Sequence, residues 1–298
     1  MSISLPLSLG HQRDWVWRGW QIRYTFLRSE QADGVPLLML HGFGAALTQW
    51  RSNLLPLSAH HTVYAIDLLG FGASEKAAAS YNVALWVEQV YEFWRCLIKR
   101  PVIIVGHSLG ALVALTAAAI HPEMVQGLAL MTLPAARQEL LSGRLQAIAG
   151  KLESWMAHPL LIRPLFQLVR RPAILRSVLK LTYANAERVT EEVIESFALP
   201  TLDRGAGRVF CRLSQARTRT DFSLETRSLL PQVQAPILLM WGEYDRVIPL
   251  TWGRQLVQLH TDLRLIEIPN AGHCVYDESS DRVNQELLDW INSRYSRS

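Results

Sequence analysis

Between residues 102 and 115 the chain reads VIIVGHSLGALVAL, an apolar run broken by Gly106-His107-Ser108-Leu109-Gly110. A G-x-S-x-G pentapeptide between a buried strand and a helix makes a tight turn, whose small residues let neighbouring backbone pass while the serine projects outward. The same pattern also fits a turn with an idle serine, so partners decide the matter. A serine hydroxyl is a weak nucleophile near neutral pH; acyl chemistry at Ser108 needs an imidazole as base and a carboxylate that fixes the imidazole tautomer. Asp245, in LLMWGEYDRVIP, and His273, in LIEIPNAGHCVYDE, follow in that chain order, each just beyond an apolar run. Glu243 competes with Asp245 as the acid but sits nearer the strand end. His107 lies in the turn itself, with its ring directed away from the serine, and His60, His61, His121 and His260 read as surface or helix-end residues.

Attack on an ester carbonyl creates an oxyanion, which backbone N–H donors stabilise. In LLMLHGFGA an apolar run ends at His41-Gly42-Phe43-Gly44. The N–H of Leu109, next after the serine, and that of Phe43 are the candidate donors, with Gly44 the nearest competitor. His41 reads as packing behind this loop, and Asp67, in AIDLLGFGAS, as organising its own turn.

These residues need a scaffold that brings strand ends together. In residues 14–28, Ile22, Tyr24 and Phe26 alternate with Gln21, Arg23 and Thr25, which predicts an antiparallel hairpin with one wet face. The runs at 35–40, 62–67, 101–106, 125–132, 235–241 and 263–268 are almost continuously apolar, the pattern of parallel strands buried on both faces. Helical patterns separate them: Trp86, Val90, Phe93 and Leu97 on one face before Pro101, another directly after Ser108, and a last one with Val283, Leu287, Trp290 and Ile291 together. The expected fold is α/β, a mostly parallel central sheet flanked by helices. From about Pro134 to Pro231 only helical patterns occur. Residues 1–133 and 232–298 therefore read as the core domain and 134–231 as a helical cap insertion over the carboxyl ends of the strands.

Composition narrows the function further. With 298 residues and 49% hydrophobic content the chain can bury one large core. Its net charge of +4 comes from scattered basic residues, mostly arginine, and no nucleic-acid module signature accompanies them. Three cysteines, Cys96, Cys211 and Cys274, are an odd number without metal-ligand spacing, so neither a disulfide framework nor a metal site is expected. No apolar stretch approaches the roughly 20 residues needed to cross a bilayer, and MSISLPLSLG lacks the features of a secretory signal, which implies a cytoplasmic location.

Together these motifs resemble the α/β-hydrolase superfamily over about residues 14 to 293. Serine rather than aspartate at 108 sets the chain apart from haloalkane dehalogenases and epoxide hydrolases. HGFGAALTQWRSNLLPLSAHHTVYAIDLLGFGASEK, VTEEVIESFALPTLDRGAGRVF, LLPQVQAPILLMWGEYDRVIPLTWG and NAGHCVYDESSDRVNQELLDWI are similar to the pheophytinase and chlorophyll dephytylase group. Those enzymes hydrolyse the phytyl ester of chlorophyll or of its magnesium-free derivative. The likeness implies a Ser108, Asp245, His273 triad, Phe43 and Leu109 as oxyanion donors, a small hydrophobic ester as substrate and no cofactor. One departure is GHSLGA, where pheophytinases typically have asparagine before the serine. The same triad serves C–C bond hydrolases, a menaquinone-pathway lyase or an acyltransferase, and the fold alone serves a non-catalytic receptor for an apolar ligand. Leu160, Leu161, Ile162, Leu165, Phe166 and Val169 of the cap either line a hydrocarbon pocket or pack the helix onto the body. The basic amphipathic stretch RPLFQLVRRPAILRSVLK suggests peripheral contact of the cap with an anionic membrane.

Overall fold

The computed structural model describes residues 9–30, 34–140 and 159–295. MSISLPLS at the start and residues 141–158 of the expected cap lie outside them. The strands are β1 (Gln12–Trp17), β2 (Trp20–Leu27), β3 (Leu37–Leu40), β4 (Val63–Ile66), β5 (Val102–His107), β6 (Val125–Met131), β7 (Ile237–Gly242) and β8 (Leu263–Ile268). They form one sheet in the order β1-β2-β4-β3-β5-β6-β7-β8. β1 and β2 pair antiparallel, β2 joins β4 antiparallel, and every pairing from β4 through β8 is parallel.

The helices that bear on the site are α1 (Val83–Phe93), α2 (Leu109–Ile120), α3 (Pro159–Val169), α4 (Pro172–Thr182), α5 (Glu191–Ala198), α6 (Ala206–Ala216) and α7 (Ser280–Tyr295). Continuous apolar strands follow from helices on both faces. Leu38, Leu40, Ile104, Leu128 and Leu130 point into the core shared with α1 and α2. Their sequence neighbours Leu37, Met39, Ile103, Val105, Ala129 and Met131 point into the core shared with α7. α1 starts where Asn82 accepts a hydrogen bond from Leu85 N. α2 is apolar all round and buried from Leu109 to Ala118, as a helix in the middle of a molecule must be.

Three local expectations change. Thr25, assigned to the wet face of the hairpin, is fully buried, and its hydroxyl donates to Leu9 O at 2.6 Å, because the segment before β1 crosses it. Leu97 is 38% exposed: α1 passes into a π turn over Trp94–Ile98, and the wider turn rotates that residue off the buried stripe. β8 is the sheet edge, and Arg264 and Glu267 on it are exposed, so it is not buried on both faces.

The chain leaves β3 toward β4 on one side and returns to β5 on the other, so the carboxyl ends of β3 and β5 flank a topological switch point. Ser108 sits at that point with φ 50° and ψ −113°, a left-handed turn for a non-glycine residue. Gly106 and Gly110 make the turn possible. A Cβ on Gly110 would lie 2.2 Å from Leu40 O, and one on Gly106 would lie 2.5 Å from Gly110 O. Gly110→Ala is therefore expected to lower stability by about 3 kcal/mol or more, because backbone atoms cannot yield as side chains do. A urea midpoint unchanged from wild type would contradict this crowding.

Candidate active site

The loop after β7 carries Asp245 and the loop after β8 carries His273. Their side chains meet, with His273 Nδ1 2.9 Å from Asp245 Oδ2. The other oxygen of Asp245 accepts from Val247 N and Ile248 N, each at 2.8 Å, so the carboxylate is aimed by its own loop. Its side chain is fully buried. Glu243, the competing acid, is exposed. With Nδ1 engaged by Asp245, Nε2 is the ring nitrogen left to act on a hydroxyl.

The Ser108 hydroxyl makes no hydrogen bond to a described residue, and the link between turn and imidazole runs through His107 instead. His107 Nε2 donates to His273 O at 3.0 Å, and the two rings lie 4.8 Å apart. Burial drives the pKa of His107 well below the usual histidine range, with the neighbouring His273 acting in the same direction, so it serves as a neutral donor. Residue 107, read from sequence only as turned away from the serine, thus ties the serine turn to the histidine loop.

Two further groups hold the histidine loop. His273 N donates to Thr182 O at 2.8 Å, at the end of α4. Glu278 accepts from Gly272 N at 2.7 Å with one oxygen, and from Ala184 N and Asn185 N at 2.7 and 3.0 Å with the other. Burial raises the pKa of Glu278 while those three amides oppose the rise. Beside it, Asp277 accepts from Tyr183 Oη and from Arg51 Nη2, both at 2.6 Å. The helices between β6 and β7 and the histidine loop are thus joined at several points. None of these partners has a sequence signal, since each bond crosses 90 residues or more or ends on backbone.

The amides of Phe43, Gly44 and Leu109 donate to no described residue, so both candidate oxyanion donors and their competitor are available. Their loop is braced from behind. His41 is buried, donates through Nδ1 to Gly42 O at 2.7 Å and accepts Leu68 N at Nε2; burial lowers its pKa to about 4. Asp67 does more than organise its own turn, because it accepts from Leu47 N at 2.6 Å as well as from Ala73 N at 2.7 Å. Full burial raises its pKa to about 6 against those two hydrogen bonds.

An apolar cavity of about 270 Å³ adjoins this loop, lined by Phe43, Phe71, Phe166, Val209, Phe210 and Leu213 among others. Thr182, whose carbonyl holds His273 N, is also in its wall. Of the six residues read as possible pocket lining, Phe166 and Val169 line it. Ile162 is buried elsewhere, and Leu160, Leu161 and Leu165 are 76%, 43% and 44% exposed.

A family model described as alpha/beta hydrolase fold matches residues 35–280. The chain belongs to this family. The α/β hydrolase is 29% identical over 260 residues to the dihydrolipoyllysine-residue acetyltransferase component of the acetoin cleaving system of Pseudomonas putida. The match covers 87% of this chain and 64% of that protein. It is 25% identical to chloroplastic pheophytinase of Arabidopsis thaliana, over 91% of this chain and 64% of the relative. It thus spans under two thirds of both relatives. A solved structure of a bacterial membrane phospholipase A superposes with a TM-score of 0.78 at 24% identity, covering 98% of this chain and 88% of that one.

Glu278→Gln replaces one accepting oxygen by a donor, so either the Gly272 bond or the Ala184 and Asn185 bonds must break. An ester turnover assay is expected to show kcat lower by about tenfold to a hundredfold with KM little changed, the signature of a displaced group outside the binding site. Unchanged kcat would contradict the positioning role. For Asp67 the native carboxyl binds its proton near 6, above an unfolded aspartate at about 3.9. Its stabilising contribution is complete below the lower value and is lost as pH rises through 6. Urea titrations of wild type and Asp67→Asn are thus expected to diverge in favour of wild type between about pH 7 and pH 5; a constant difference would contradict the shift.

Proposed function

We propose that this α/β hydrolase cleaves carboxylic esters of hydrophobic substrates through an acyl-enzyme on Ser108. The observation that carries the reading is the buried 2.9 Å contact between His273 and Asp245, with Ser108 in a left-handed turn whose neighbour His107 grips the His273 backbone. In the proposed mechanism Ser108 Oγ attacks the carbonyl carbon as His273 Nε2 takes its proton. Asp245 stabilises the imidazolium, and the amides of Phe43 and Leu109 receive the oxyanion. Collapse breaks the C–O bond, and His273 passes its proton to the leaving alcohol. Water, deprotonated by the same ring, then releases the acid and restores the serine.

The cavity supports an apolar substrate. At about 270 Å³ it lies near the lower end of small-molecule sites, suited to one hydrocarbon arm rather than a whole tetrapyrrole. A phytyl ester of a chlorophyll derivative satisfies that condition if the ring stays outside the cavity, and the likeness to pheophytinase supports it. The helices between β6 and β7 act in this reading as the cap that selects the chain.

Incubation with chlorophyll, pheophytin and p-nitrophenyl esters of increasing chain length, scored by product mass, tests both levels. Long-chain esters are expected to be cleaved in preference to acetate, and Ser108→Ala is expected to lose at least about 10³-fold in kcat while keeping its unfolding midpoint. Full turnover by the alanine variant would overturn the mechanism; release of free phytol from neither pigment would remove the phytyl assignment alone.

A further inference from the structure

Each helix of the α3–α4 pair carries two apolar rows. One row faces inward: Ile162 and Phe166 on α3, Leu175 and Leu179 on α4, all buried. The second row has the same helical spacing and faces outward. Leu161, Leu165 and Leu168 on α3 are 43–44% exposed, and Val178 and Leu181 on α4 are 43% and 63% exposed. Ile174, one turn before Val178, is partly exposed. On α3 the row Leu161, Leu165 and Leu168, at i, i+4 and i+7, does nothing for the core, and Leu181 extends the exposed face on α4, while Val178 is exposed and also edges the cavity.

Charge says what such a surface fits. From Pro159 to Ala186 there is no acidic residue, while Arg163, Arg170, Arg171, Arg176 and Lys180 are basic. Arg176 pairs with Glu191 of α5. The other four cations form no ion pair among the described residues, and Arg170 and Arg171 occupy the turn between the helices. An exposed aliphatic face flanked by unmatched cations is complementary to a layer that is apolar inside and anionic at its surface. A soluble protein partner would need both an apolar groove and an acidic rim.

We propose that the α3–α4 pair is a docking surface for an anionic lipid bilayer, lying in the interfacial plane with its outer rows among the acyl chains and its cations at the headgroups. The same helices supply Phe166, Val169, Leu175, Val178 and Leu179 to the cavity wall. Docking would therefore set the cavity mouth against the phase that dissolves an apolar ester. Only this delivery step rests on the ester reading; the docking itself does not.

Flotation of the full chain with phosphatidylcholine vesicles, with and without phosphatidylglycerol, tests it without any turnover. Wild type is expected to float with the anionic vesicles, less so as salt is raised, and to stay in the dense fraction with neutral ones. Leu165→Glu with Leu168→Glu, and separately Arg163→Glu with Lys180→Glu, are each expected to cut the bound fraction by about tenfold while leaving hydrolysis of a soluble short-chain ester unchanged. None of those four residues lines the cavity. Wild type that ignores phosphatidylglycerol, or variants that bind as well as wild type, would overturn the proposal. So would a wild-type dimer by light scattering that the leucine variant converts to monomer, since the rows would then cover each other. Loss of turnover with intact flotation would instead count against the ester reading.

Discussion

A serine at φ 50° at the end of a buried strand is the constraint from which the rest of the active-site architecture follows. An L-residue in that conformation is disfavoured and persists only where the surroundings over-determine it. Here they do so by contact: Gly106 lets the start of α2 fold back over β5, and Gly110 lets α2 press against Leu40 O. The Ser108 amide is held by Met131 O at 2.9 Å. The backbone bond and the close approaches that fix this turn lie in the centre of the sheet, where the strands are covered on both faces, and the His107 side chain adds a bond to the histidine loop.

The histidine opposite is held with similar redundancy. The amide of Gly272 and the amide and carbonyl of His273 are each hydrogen-bonded, to Glu278, Thr182 and His107 respectively. Three separate parts of the chain thus determine where the imidazole stands: the segment after β8, the helices between β6 and β7, and the serine turn itself. Thr182 lies in the cavity wall and also holds His273, so the helices that line the cavity and the histidine loop share an anchor. The ring's tautomer is set separately by Asp245. Preorganisation of this kind spares the reacting groups from reorganising when substrate arrives.

Sequence alone revealed the parts governed by short-range patterns. The five strands β3 to β7 were readable because strands buried on both faces have to be apolar throughout, β8 because its edge still carries an apolar row, and the hairpin because its alternation is local. Ser108, Asp245 and His273 stood out because each lies just past such a run. What could not be read is long-range. The clamp of Glu278 on Ala184 and Asn185 has no spacing rule, nor does the bond from Asp67 to Leu47, and Thr25 looked wet because the segment that covers it comes from before the hairpin. The apolar residues of α3 misled for a related reason: the helix has two apolar rows, and periodicity does not say which one faces the cavity.

The central claim is that these constraints make one hydroxyl nucleophilic, and covalent trapping tests it most directly. After treatment with a fluorophosphonate, intact mass is expected to rise by a single phosphonyl group, located by peptide mapping on Ser108 and absent from His273→Ala. No adduct, or one on a different residue, would contradict the account.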